Sequence, residues 1–419
     1  MNVFRALRHR NFALFTAGQS ISLVGYWMES IAQSWLLYRL TESATLLGVL
    51  GFATSIPIFL LSPFAGVWSD RWNLHRAMYA TQVLEMLQAT TLAALAVAGI
   101  IAPWHIITLA MIMGVLVAFE LPIRHAYLIE LVGGKEDLPN AIAVTSLMAN
   151  TGRLIGPAAA GLIIVAYDEA VCFVINAVSY VAVVVSFMFI RVAATPRVPS
   201  GATAWRGLAE GFAYAWNSVP IRLLLGTLVV VSLLATPYNA LMPVLVREVY
   251  GGGANLMGFF VGASAFGGIA GTLYLASRRN VRGLVRVMTW ASFAAGAALA
   301  LLSWAGYTST AIVLLLIVGF GVLVTSVSVN MILQTIVQDD KRGRVMSLYT
   351  TAFLGITPFG AMGAGALADR IGVAWTLTGG GIGCVMAAIH LARRHAEVRA
   401  HVGPIYDKLG ITRASPRTP

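Results

Sequence analysis

A chain of 419 residues that is 58% hydrophobic and only 11% charged has too few charges to cover the surface of a soluble globular protein. The excess apolar surface must face lipid, in line with a mean hydropathy of +0.80. The net charge of +11 invites a nucleic-acid reading, which the placement of the basic residues excludes in favour of membrane orientation and contact with anionic lipid head groups.

A membrane span needs ~20 apolar residues, and the chain has room for about twelve. They fall at roughly 11–38, 44–69, 76–100, 104–126, 139–166, 170–191, 221–248, 255–277, 284–304, 309–335, 344–367 and 373–394. All should be helices, since lipid offers no partner to unpaired backbone groups. The expected fold is an all-α integral membrane protein of twelve transmembrane helices in two pseudo-symmetric six-helix bundles. The first span is long and is followed by no small-residue cleavage site, so it does not read as a signal peptide. Cys172 and Cys384 both fall in spans and support neither a disulfide framework nor a thiol metal site.

With the N-terminus in the cytoplasm, 24 of the 28 basic residues lie in inner segments. Arg39, Arg247 and Arg370 lie outside, and Arg153 lies within a span. This is the positive-inside pattern, with both termini cytoplasmic. The chain therefore divides into a first bundle at 1–195, a linker at 196–217, a second bundle at 218–395 and a basic tail at 396–419. In the linker Trp205, Leu208, Phe212, Ala215 and Trp216 recur at helical spacing beside Arg206 and Glu210, as in an amphipathic helix on the inner interface. The tail, polar and basic with Pro404, Pro416 and Pro419, is expected to be poorly ordered.

The two halves repeat. Gly66 to Arg76 read GVWSDRWNLHR between two apolar stretches, and the pattern returns in faded form about 210 residues later. Gly48, Gly66, Asp70, Arg76 and Met78 answer to Gly258, Ala276, Asn280, Arg286 and Met288. SATLLG at Ser43–Gly48 answers to GANLMG at Gly253–Gly258. After the third span of each half the offset falls to about 206, with Ala126–Val144 against Ile332–Tyr349.

The first span carries Gln19, Ser22, Tyr26, Glu29 and Gln33, whose spacing places all five on one stripe of one helix. Such a stripe faces water or other helices. At offset 210 the seventh span shows Ser232, Thr236 and Asn239 opposite Ser22, Tyr26 and Glu29, so the same face is expected to be polar in both halves. This suits a central pathway between them; the alternative is hydrogen bonding from helix to helix. Arg153 lies in GRLIGP, about 20 Å up the fifth span from Asn140. A guanidinium at that depth should face a partner or a water-filled cavity. Gly152, Gly156 and Ala160 allow close helix approach around it, and Pro157 frees a backbone carbonyl.

Three carboxylates lie within spans: Glu29, Glu85 and Glu120. A carboxyl protonated when open to one side of the membrane and ionised when open to the other couples proton entry to export. Glu29 is the best placed, on the polar stripe about 27 Å from the inner end. Glu120, one turn from Arg124, is expected to pair with it. Glu85 serves either structure or coupling. Tyr26, Trp27, Trp35, Met111, Met113 and Phe119 offer an adaptable apolar wall or plain packing.

Several stretches together resemble the major facilitator superfamily, and within it the drug:proton antiporter branch that includes enterobactin exporters and macrolide efflux pumps. They are WMESIAQSWLLYRLTESATLLGVLGFA (Trp27–Ala53), PFAGVWSDR (Pro63–Arg71), AFELPIRHAYLIELV (Ala118–Val132), LPNAIAVTSLMANTGRLIGPAAAG (Leu138–Gly161) and RGRVMSLYTTAFLGITPFGAMGAGALADRIG (Arg342–Gly372). The resemblance implies alternating access and efflux of a small organic molecule, drug-like or siderophore, from the cytoplasm across the bacterial inner membrane. It implies a cytoplasmic gate at Gly66, Asp70, Arg71 and Arg76, to which Arg124 adds a basic residue; plain topology signalling is the alternative. The usual run of arginines is thinned here by Trp72, Asn73, Leu74 and His75, and Asn280 has lost the carboxylate of Asp70. The segment around Arg153 is the one the family uses at the seam between halves, where it limits leak, against a reading as ordinary tight packing. The family pattern usually has Gln where Glu29 stands.

No metal-ligand spacing, placed nucleophile or phosphate loop is present, so neither an enzyme nor a cofactor is expected. The expected partners are a small-molecule substrate, protons and the lipid bilayer, with one chain enclosing its own pathway as a functional monomer. The competing reading is a transport-inactive membrane receptor or sensor on the same fold.

Overall fold

The computed structural model describes residues 4–69, 72–134, 136–192, 212–278 and 280–408. A 3-10 turn at Arg5–Arg8 leads into α1 (Arg10–Thr41), α2 (Ala44–Ser69), α3 (Leu74–Val97), α4 (Pro103–Leu131), α5 (Leu138–Ala166) and α6 (Glu169–Phe189). A turn of helix at 212–217 precedes α7 (Val219–Leu234), α8 (Ala254–Ala276), α9 (Leu284–Leu302) and α10 (Thr308–Ile336). Then come α11 (Asp339–Thr350), α12 (Thr357–Ile371), α13 (Val373–Arg393) and α14 (His395–Lys408). A π-helical turn at Thr351–Gly355 joins α11 to α12, so the pair makes a single span.

Among the described residues, eleven spans are long and apolar enough to cross a bilayer. The twelfth is α1, which at 32 residues is longer than any of them. Its polar stripe dilutes its hydropathy, and burial compensates: Gln19, Ser22, Glu29 and Gln33 are all buried against neighbouring helices. A helix that packs against protein along its polar face has no need of an all-apolar surface.

Helix ends follow local chemistry. Asn73 Oδ1 accepts from the Arg76 backbone N–H at 3.0 Å, starting α3, and Asp168 Oδ1 accepts from Val171 N–H at 3.0 Å, starting α6. The α1–α2 corner turns at Glu42, whose φ of 50° is left-handed.

The seventh span departs from expectation. It is a continuous α-helix only to Leu234, then passes through a 3-10 turn at Thr236–Asn239, one turn at Met242–Val244 and a π-helical turn at Leu245–Val249. Pro237 and Pro243 are the cause: each lacks the N–H of the helical ladder and clashes with the preceding turn. Ser232, Thr236 and Asn239 therefore do not share an α-helical face. Ser232 is buried, Thr236 half-buried and Asn239 exposed.

The chain forms two compact units, Met1–Ala202 with Met242–Gly262, and Thr203–Leu241 with Ala263–Pro419. The core of the first holds an aromatic cluster. Phe15 meets Tyr127 and Phe187 edge-on at 6.4 and 6.1 Å between ring centroids, and Tyr127 stacks on Phe187 at 6.0 Å. Glycine permits close crossings: a Cβ on Gly156 of α5 would lie 2.5 Å from Trp27 Cβ of α1, and one on Gly161 would lie 2.7 Å from Ala254 O.

The core of the second unit includes the chain's last described helix. Val398, Val402 and Tyr406, one turn apart on α14, are buried with Ile221, Leu224, Leu333 and Leu391. The tail through Lys408 is thus ordered helix rather than loose chain, because an apolar stripe in a polar segment has a core to join. Trp205, Arg206, Leu208 and Glu210 of the linker lie outside the described residues. Beyond them Phe212 and Trp216 are exposed and stacked at 5.8 Å, with Arg222 over the Trp216 ring at 5.7 Å.

Candidate functional site: a buried carboxylate network

Long polar side chains inside a membrane protein need partners from other helices. Those of the first unit find them in two groups on α1, α3, α4 and α6. In the first, Gln19 Nε2 donates to Gln82 Oε1 at 2.9 Å. Gln82 Nε2 donates in turn to Glu85 Oε2 at 2.9 Å and to Glu120 Oε1 at 3.2 Å. Arg124 closes this group with an ion pair to Glu120 one turn earlier on α4. Glu85 and Glu120 are 3% and 4% exposed, so the network is essentially dry.

In the second group Glu29 is the centre. Gln33 Nε2 donates to its Oε1 at 2.8 Å and Asn176 Nδ2 of α6 donates to its Oε2. Ser179 Oγ donates to the backbone carbonyl of Asn176 at 2.7 Å. Gln88 of α3 lies against Glu29 as well and gives its Nε2 hydrogen to Leu109 O at 3.3 Å. Among the described residues no cation reaches Glu29 or Glu85 within ion-pair distance. The α1 stripe is thus brought together, facing α3 and α6.

Arg124 was expected near the end of its span. Helix α4 instead runs on to Leu131, which places Arg124 about 10 Å inside the helix, buried with its carboxylate. Arg153 is half-buried in mid-α5 and lies over the Trp27 ring at 5.6 Å, a cation–π contact, while Tyr26 meets Trp27 edge-on at 5.7 Å. Arg76 is exposed at the start of α3, Gly66 lies in the last turns of α2, and Asp70 and Arg71 lie outside the described residues. Trp35 and Met113 are buried, whereas Met111 is exposed.

Sequence reasoning missed Gln82, Gln88 and Asn176. One signal was available, since Gln82, Glu85 and Gln88 recur every third residue on one face of α3. Outside the network, Tyr38 Oη donates to Glu248 Oε1 at 2.7 Å. These are residues that answer to each other at offset 210, and both belong to the first unit. Arg39 pairs with the buried Glu169 at 2.9 Å. At the opposite end of α1, Asp137 just before α5 receives Arg5 and His9, the latter at 2.8 Å. The His9 hydrogen bond, with Arg5 beside it, holds the Asp137 carboxyl below its ordinary range.

Comparison with known proteins places this geometry. A family model described as transmembrane secretion effector matches residues 1–401. The staphyloferrin A transporter of Staphylococcus aureus is 26% identical over 92% of this chain and 97% of its own length. The multidrug efflux pump Tap of Mycolicibacterium fortuitum is 24% identical over 86% and 89%. Among solved structures, the nucleoside transporter NupG superposes with a TM-score of 0.70 at 13% identity, covering 94% of this chain and 99% of that one.

Proposed function

The chain belongs to the transmembrane secretion effector family of the major facilitator superfamily, and from that premise we propose that it is a proton-driven exporter of a small organic molecule. It is a multi-pass membrane protein, placed in the plasma membrane as transporters of this kind are. The relatives' names divide between a siderophore transporter and a drug pump; the substrate proposed here is a molecule of either kind, partly apolar and taken from the cytoplasm. The observation that carries the reading is Glu29, a carboxylate 3% exposed within a 32-residue helix, whose oxygens receive only neutral amide donors. A buried carboxylate without a cation is costly to keep in a structural role and useful where a proton must come and go.

In this proposal two six-helix bundles with cytoplasmic termini alternate their access, and one chain suffices. The stripe of Gln19, Ser22, Tyr26, Glu29 and Gln33, packed on α3 and α6 in this conformation, opens to the first half of the pathway as α1 moves, with Arg153 beside it. Ser232, Thr236 and Asn239 contribute from the second repeat as a broken helix end. Gly66, Asp70, Arg71 and Arg76 form the cytoplasmic gate. Arg124 holds the Glu120 charge beneath it.

Everted membrane vesicles, given ethidium in the medium at what is now the outward-facing cytoplasmic side, test the reading by dye uptake. A proton gradient should drive dye movement that a protonophore abolishes, and Glu29→Gln should weaken it while leaving the protein in the membrane. Wild-type vesicles with no gradient-dependent movement of ethidium, siderophores or a panel of antibiotics would overturn it.

A further inference from the structure

Glu85 is the buried carboxylate whose hydrogen-bond account does not close. Its Oε2 accepts from Gln82, but Oε1 is fully buried and receives no hydrogen bond. One turn along the same face of α3, Gln88 Oε1 is also buried and also receives none. Two orphaned acceptors one turn apart on one helix can both be satisfied by one hydrogen between them. Flipping the Gln88 amide does not supply it, because Nε2 is committed to Leu109 O and the flip would set two carbonyl oxygens against each other.

The surroundings argue the same way. The titratable and charged groups around Glu85 are Glu120 and Arg124 on α4, Tyr180 on α6, and Tyr26 and Glu29 on α1. The one guanidinium among them is already paired with Glu120. The Tyr180 hydroxyl is directed at Glu85 and helps to hold it, yet Oε1 still lacks a hydrogen bond of good geometry. An ionised Glu85 would be a second anion in a dry network holding one cation, which burial penalises. Glu29 differs, since donors reach both of its oxygens and its ionised form is satisfied as it stands.

We propose that Glu85 holds the resident proton in this conformation, its carboxyl O–H donating to Gln88 Oε1, while Glu29 on the stripe is ionised and is the group that exchanges a proton with the pathway. Gln88, one turn from Glu85 on α3 and against Glu29, then links the proton on Glu85 to Glu29 on the polar stripe. Loss of that proton leaves Gln88 without its donor and gives α1 and α3 a reason to shift against each other. Within the exporter proposed above, this assignment rests on that reading for its role in transport but not for the presence of the hydrogen.

Infrared spectroscopy of the purified full chain in liposomes of phosphatidylethanolamine and phosphatidylglycerol separates the two. Wild-type protein should show a protonated-carboxyl C=O band that is lost as pH is raised. That band should vanish in Glu85→Gln and persist in Glu29→Gln and Glu120→Gln. Gln88→Leu should keep the band but move it to higher frequency, because the acid O–H loses its acceptor. A band that survives in Glu85→Gln, or is absent from folded wild-type protein, overturns the assignment. If the band behaves as expected while ethidium movement ignores the proton gradient, the exporter reading fails and the proton site stands.

Discussion

The two units bury different polar groups. Among the described residues, Glu29, Glu85, Glu120 and Glu169, together with Gln19, Gln33, Gln82, Gln88 and Asn176, are buried in the first. In the second the buried polar side chains are hydroxyls: Thr227, Ser232, Ser264, Thr289, Ser292, Ser303, Thr325, Ser326, Ser328 and Thr376. A short hydroxyl can satisfy itself on its own helix, as Thr325 does on Gly321 O at 2.7 Å and Thr289 on Val285 O at 2.8 Å. A carboxylate or amide reaches past its own backbone and must be met from another helix. The first unit is therefore tied together by its polar groups, and each tie is a place where a proton or a change of partner acts on packing. The second unit is held by apolar contacts with hydroxyls in passing, a scaffold of steadier chemistry.

The sharpest way to break this comparison is to unbalance the first unit. Arg124→Ala leaves Glu120 buried and unpaired and should destabilise by about 3–5 kcal/mol, with Glu120→Gln in the same chain recovering most of the loss. Ser292→Ala in the second unit, which removes the 2.8 Å bond to Thr325, should cost only about 1 kcal/mol. Thermal unfolding of the detergent-solubilised protein measures both, and equal effects would erase the contrast.

The apolar character of the second unit is tested at its end. Val402→Asp places a charge in the α14 contact and should cost about 2 kcal/mol, read as release of the tail to a protease. On transport, Glu29→Gln should reduce proton-driven dye efflux by about tenfold. Asn239→Ala, at the matching position of the second repeat, should stay within about twofold because that side chain sits exposed in a 3-10 turn. Tyr38→Phe removes one hydrogen bond to Glu248 and should lower the unfolding midpoint by the equivalent of about 1 kcal/mol.

The smallest effect belongs to the half-buried Asp137 clasp. Its carboxyl lies below the ordinary range when folded. The stabilisation is therefore present above the ordinary carboxylate pKa and is lost only as pH falls through the lower folded value. Asp137→Asn should lower neutral-pH stability slightly, leave stability at low pH unchanged, and so flatten the acid limb of the unfolding profile.

Much of the fold was legible because the membrane imposes long-range order on composition. Twelve spans, their approximate ends and the repeat at offset 210 follow from hydropathy and spacing. The polar stripe of α1 was legible from its 3, 4, 3, 4 spacing, and the Glu120–Arg124 pair from its single-turn separation. Other features had a signal that a competing rule masked. Pro237 and Pro243 announced the broken seventh span, yet apolar length argued for one helix. Val398, Val402 and Tyr406 announced α14, yet the tail's polar composition argued for disorder.

The partners across helices had no such signal. Nothing in the spacing of α1 says that Gln19 meets Gln82, or that Glu29 meets Asn176 some 147 residues away. The sequence by itself determined which helices exist, which face of each is polar, and how many carboxylates lie at membrane depth. These are local matters of periodicity and transfer energy. Beyond the Glu120–Arg124 pair, only the tertiary structure decided which of the other two carboxylates received amides at both oxygens and which was left short of a donor. That is a matter of which side chains packing brings within about 3 Å of each other, and it is what distinguishes Glu29 from Glu85.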